Sequence, residues 1–140
     1  MAQRDRVYID GERRGEFETL ARRMGGVDNK DAFLFAMSYG FAHGMRKPFR
    51  DRYGFVLSKY FNEEDHCLMA AVAMAGRDEI SEDFSMDEAY GIAEEYARGG
   101  IGLLREQLAD GVEFRENLSI EVLQTAAGLA ISERSGDATE

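Results

Sequence analysis

Residues 28 to 52, DNKDAFLFAMSYGFAHGMRKPFRDR, carry an aromatic-rich apolar segment straight into the densest basic cluster of the chain and its only proline. Phe33, Met37, Gly40, Phe41 and Gly44 recur at the three- and four-residue spacing of one helical face, widened by Leu34, Ala36 and Met45. The spacing predicts a buried helix. Asp28 or Asn29 is placed to accept hydrogen bonds from its first backbone amides, and Asp31 suits the positive end of its dipole. Gly44 and then Pro48 mark its end. A helix this apolar needs cover on several sides, so the remaining 115 or so residues of the 140 must supply it as one compact domain.

Upstream, Arg4, Arg6, Tyr8 and Asp10 alternate with Asp5, Val7 and Ile9, which reads as a short half-exposed strand with Val7 and Ile9 facing inward. From about Glu12 a helix follows, with Phe17, Leu20, Ala21 and Met24 inward, stopped by Gly25 and Gly26. Strand, helix, glycine turn and longer helix is the order of a ribbon-helix-helix unit. There, strands from two chains pair into a ribbon that reads the major groove, here through Arg4, Arg6 and Tyr8. The same strand equally suits the edge of a small sheet within the chain.

Between Arg46 and Lys59, the basic residues Arg46, Lys47, Arg50, Arg52 and Lys59 face one acid, Asp51, with Phe49, Tyr53, Phe55 and Tyr60 interleaved. Cations among aromatics suit a phosphate surface with stacking groups. They also suit a loop tucked on a core, and burial is expected for Phe49 and Phe55, with Tyr53 and Tyr60 left open. Residues 62 to 76 form a third helix capped by Asn62, acidic at its start and apolar almost all round, hence central. An acidic connection, 77 to 85, leads to a fourth helix opened by Ser85, with Tyr90, Ala93, Ala97 and Ile101 in a stripe. Gly99 and Gly100 either break it or let another backbone come close. Leu103, Leu104 and Leu108 follow, then an amphipathic helix from Ser119 with Ile120, Leu123, Ala127 and Ile131, and a polar tail at 133 to 140.

The reading is therefore mainly α: a short N-terminal strand and about five helices, with a ribbon-helix-helix-like portion at 1 to 50 packed on a helical portion at 51 to 132, and a disordered tail. Residues 1 to 60 hold 12 Lys plus Arg against 8 Asp plus Glu, a balance of +4; residues 61 to 140 hold 5 against 19, or −14. One end is thus equipped to meet an anion, while the other is solvated or meets a basic protein. The chain has no uninterrupted apolar run of about 18 residues and no apolar core near its start, so neither a membrane span nor a secretory signal is expected. One cysteine, Cys67, fits a reducing compartment, and the expected location is the cytoplasm.

Chemistry has few candidates. His43, His66 and Cys67 fall short of the roughly four ligands of a zinc site. Adjacent His66 and Cys67 on a helix point about 100° apart and cannot act as base and nucleophile. Cys67 is expected as a small core residue and His66 at the surface or a cap. Carboxylate pairs abound in helix first turns, where the dipole already accounts for them. No GxxxxGK[ST], HExxH or GxSxG occurs, and Arg-Gly-Gly-Ile-Gly at 98 to 102 lacks the preceding strand of a phosphate cradle. No metal, cofactor or catalytic residue is assigned.

The stretch NKDAFLFAMSYGFAHGMRKPF resembles the centre of a small family encoded beside bacterial and archaeal DNA phosphorothioation (dnd) systems. Lys30 with Asp31, Phe33 and Phe35, Gly40 and Phe41, Gly44, and the exit Arg46, Lys47 and Pro48 carry the likeness. The preceding RVYID strand and first helix fit its layout, so it covers about residues 4 to 50. A fainter similarity, in Ala-Arg-Gly-Gly-Ile-Gly-Leu-Leu at 97 to 104, is to the DndE family of DNA sulfur modification proteins. The resemblance implies a non-enzymatic accessory role in DNA modification or phage defence, as an oligomer beside other proteins of the system. The expected DNA face is Arg4, Arg6, Tyr8, Lys30, Arg46, Lys47, Arg50 and Arg52. The alternative is an acidic adaptor or DNA mimic that docks on a basic partner and touches no DNA.

Overall fold

The computed structural model describes residues 5 to 77 and 85 to 109. They form, in order, β1 (Arg6–Asp10), α1 (Arg14–Arg23), α2 (Asn29–Ala42), β2 (Arg52–Leu57), α3 (Glu63–Ala75) and α4 (Met86–Leu104), with short 3-10 turns at Gly11–Arg13 and Ser58–Tyr60. The mainly helical architecture with a short N-terminal strand is as the sequence predicts. The helix expected from Ser119 and the tail lie outside the described residues.

The use made of β1 differs from the two-chain ribbon. β1 pairs antiparallel with β2 of the same chain, from Arg6 opposite Leu57 to Asp10 opposite Arg52. Its other edge meets α4, where the Tyr8 N–H donates to Glu94 Oε2 at 2.6 Å. Both edges of β1 are therefore engaged within one chain. β2 was not foreseen, because its partner is some 46 positions away and its sequence reads as a basic aromatic loop. A register shift between Val7 and Tyr8 leaves Phe55 as an extra residue in β2. In a regular strand, neighbours point to opposite faces; the bulge instead lets Phe55 and Val56 both turn inward, and both are buried. Phe55 packs on Phe17 of α1 with ring centroids 5.5 Å apart.

α1 ends as expected: Gly26, at φ 78°, donates its N–H to the Ala21 carbonyl at 3.0 Å. At the start of α2, Asp28 is the cap by position, yet its carboxylate makes no capping hydrogen bond. The core gathers Val7, Ile9, Phe17, Leu20, Phe33, Met37, Met69, Ile101 and Leu104, drawn from every element but β2 at full burial.

α2 and α4 cross at backbone contact, and glycine makes it possible. A side chain on Gly100 would strike the Ala36 carbonyl and the Gly40 N–H, and one on Gly40 would strike the Tyr96 carbonyl. Gly99 lies in the same way on the Met45 carbonyl. Gly99 and Gly100 do not break α4, which continues to Leu104; they serve the second of their two readings, close backbone approach.

α3 corrects an expectation. Its capping box is present, with Asn62 accepting from the Asp65 N–H at 2.8 Å and Asp65 accepting from the Asn62 N–H at 3.0 Å. It is not central, however. Only Met69, Val72 and Ala73 are buried, while Leu68 is 41% and Met74 61% exposed. Cys67, expected in the core, is exposed on that outer side. With 13 residues and few polar side chains after Asp65, α3 is apolar on the face it turns away from the core as well as on the one it buries.

Candidate nucleic-acid interface

Of the eight candidate residues, seven are placed and fall into three groups. Arg4 lies outside the described residues. Arg6, Tyr8 and Arg52 come together on the outer side of the two-stranded sheet. The missing side chain of Gly54 leaves room for the Arg6 stem, whose Cδ lies 2.9 Å from where a Cβ on Gly54 would stand. The Arg52 guanidinium sits 5.0 Å over the Tyr8 ring, a cation–π contact that orders it, and Nη2 lies 3.5 Å from Glu94 Oε1. Arg52 is thus half engaged, and Arg6 is exposed with no ion pair among the described residues.

Lys30 and Arg46 are committed elsewhere. Lys30 Nζ lies 3.0 Å from Asp65, tying the first turn of α2 to that of α3. The hydrogen bond to the Asp65 carboxylate raises the Lys30 pKa above its ordinary value. For Asp65, burial pushes upward, but the Asn62 amide and Lys30 together pull harder and hold the carboxyl below the usual carboxylate range. Arg46 places Nε at 2.8 Å and Nη2 at 2.7 Å from Glu95 Oε1, gives Nη1 to the Gly76 carbonyl at 3.2 Å and lies over the Tyr96 ring. Each of its nitrogens has a partner, so it fastens the exit of α2 to α4 and to the end of α3.

Lys47 and Arg50 remain exposed, with no side-chain ion pair among the described residues. The Lys47 backbone N–H donates to the Glu95 carbonyl at 3.0 Å, which fixes where the side chain starts. Beside it stand three cations that the sequence reading did not assign: Arg13 after β1, Arg98 on α4 and Arg105 just beyond α4. Only Arg98 had a signal, the Arg-Gly-Gly-Ile-Gly segment. The others are brought close by pairing of elements distant in sequence.

The aromatics fall largely as expected. Phe55 is buried, Phe49 is half-buried, and Tyr53 and Tyr60 are exposed. Arg14 covers the Tyr53 ring at 5.0 Å and Lys59 the Tyr60 ring at 5.4 Å. His66 Nδ1 shares a hydrogen bond with the Tyr90 hydroxyl at 3.1 Å, and His43 packs on Tyr39 with centroids 4.4 Å apart. Among the described residues no helix is long and apolar enough to cross a membrane.

The family model for DNA sulphur modification system-associated protein 4 matches residues 12–138, nearly the whole chain. No curated protein and no solved structure matches it.

Proposed function

The chain belongs to the family of DNA sulphur modification system-associated protein 4, and from that premise we propose that it is a non-catalytic accessory protein that binds duplex DNA in a phosphorothioation-type modification or defence system. The contact surface is the outer side of the β1–β2 sheet with the segment from Lys47 to Arg52. The observation that carries this reading is the division of the cations: Arg6, Lys47 and Arg50 stand exposed and outside ion pairs among the described residues, whereas Lys30 and Arg46 are spent inside the fold. Affinity for a phosphate backbone comes from cations that can release its counterions, and paired ones contribute little. Because β1 is paired within the chain, the sheet presents Arg6 and Arg52 as phosphate contacts and not as a ribbon inserted in the groove.

Titration of a labelled duplex tests this. Lys47→Glu with Arg50→Glu is expected to weaken binding by about tenfold or more, to a similar degree for unrelated sequences. Equal affinity of variant and wild type would remove the reading.

The outer side of α3 favours a second reading, contact with another protein of the same system. Cys67, Leu68 and Met74 leave apolar surface around the part of α3 that is turned away from the core. On that reading, Leu68→Asp with Met74→Asp abolishes co-purification of the partner without lowering the melting temperature, and retention of the partner by the variant counts against it.

A further inference from the structure

We propose that the cleft between the end of β1, the segment after α2 and the last turns of α4 is a phosphate-binding site. Its identification with a backbone phosphodiester rests on the DNA reading above. The cleft has a volume of about 230 Å³ and is walled by Arg13, Lys47, Arg98 and Arg105 over a floor that includes Gly102.

Each cation keeps donors in reserve. Arg98 gives Nε to Asp10 at 2.7 Å, and its Nη1 lies over Gly102, 3.3 Å from where a Cβ would stand. The bare backbone of Gly102 is what leaves that space open. Arg13 gives Nη1 to Glu16 at 3.0 Å, while its Nε is buried without a hydrogen-bond partner. Arg105 is held only loosely, Nε standing 3.8 Å from Glu16 with the side chain 64% exposed. Lys47 adds a fourth charge to the lining.

Against these stand the carboxylates of Asp10 and Glu16, the latter with Oε2 buried and unpartnered, and the negative end of α4. Four cations against two carboxylates leave an excess of two positive charges. That excess, and the planar forks of three arginines, suit a tetrahedral oxyanion bearing one or two negative charges. The site draws on residues from both halves of the chain, and the overall negative charge conceals it.

The test uses the full chain with two probes, inorganic phosphate followed calorimetrically at constant ionic strength, and a labelled duplex. Arg105→Glu reverses a charge at an exposed position, and Gly102→Leu fills the cleft without changing any charge. Each is expected to weaken phosphate binding by about tenfold or more and to weaken duplex binding, while Arg22→Glu, on the outer side of α1, leaves phosphate binding unchanged. Absence of saturable phosphate binding, or variants that bind phosphate as wild type does, overturns the site; the DNA reading then stands if the wild-type chain still binds duplex. Phosphate binding lost in both variants with duplex affinity intact supports the cleft as a seat for free phosphate groups and overturns its assignment to DNA.

Discussion

Gly100→Ala is expected to lower the unfolding free energy by about 2 to 3 kcal/mol and the melting temperature by roughly 10 °C, even though alanine is the better helix former. Propensity alone would favour the substitution by about 1 kcal/mol. It is outweighed because the new methyl group meets the Ala36 carbonyl and the Gly40 N–H, backbone atoms that cannot rotate aside. The two helices must separate, and the contacts of Ala36, Met37, Ala97 and Ile101 loosen with them. Gly91→Ala supplies the comparison on the same helix. Apart from its chain neighbours and the adjoining helix backbone, no atom stands within 4 Å of its added Cβ, so the propensity gain is unopposed and stability rises by up to about 1 kcal/mol. Thermal denaturation of both variants checks the pair. A Gly100→Ala protein as stable as wild type would contradict a crossing at backbone contact.

The second large effect is at Asp10. This side chain is almost fully buried, takes Arg98 Nε at 2.7 Å on one oxygen and the Glu12 N–H at 3.1 Å on the other. It therefore ends β1, starts the turn that follows and ties both to α4. Asp10→Ala leaves Arg98, only 16% exposed, without its counter-charge. Removing one member of a buried pair costs about 3 to 5 kcal/mol, and the lower end applies because Arg98 borders a cleft that admits water. Urea denaturation should show the midpoint falling with the slope unchanged. Asp10→Asn, which keeps an acceptor for Glu12, should lose less. A cost for Asp10→Ala below about 0.5 kcal/mol, within the range of ordinary surface changes, would show that the pair does not hold β1 to α4.

The parts of the fold that were legible in the sequence are those set by local periodicity and capping. The stripe of Phe17, Leu20 and Ala21, the stripe of Tyr90, Ala93, Ala97 and Ile101, and the caps at Asn62 and Ser85 all stand where the spacing puts them. Pairing over long separations was not legible. Tyr53, Gly54 and Phe55 become a strand only because β1 lies beside them, and the bulge at Phe55 follows from that register. α3 was misplaced because apolar composition says that a surface can be buried, not that it is; Leu68 and Met74 show the difference. Most acidic residues of the second half, from Asp78 to Asp83 and from Asp110 onward, lie outside the described residues, so the charge contrast read from the sequence bears mainly on the first half.

The candidate interface was half legible for a related reason. Charge density marked the exit of α2, but density does not tell a cation spent on Glu95, as Arg46 is, from one left exposed, as Lys47 and Arg50 are. Only tertiary partners decide it. The same holds for Arg13 and Arg105, unremarkable as sequence and adjacent in space.

The central claim, that exposed cations of the sheet and the α2 exit bind DNA, meets its most direct test in the salt dependence of duplex binding by the wild-type chain. With Arg6, Lys47 and Arg50 each displacing counterions, the logarithm of the association constant should fall against the logarithm of salt concentration with a slope of about −3 or steeper. No binding at about 50 mM salt, or binding that salt leaves unchanged, would contradict it.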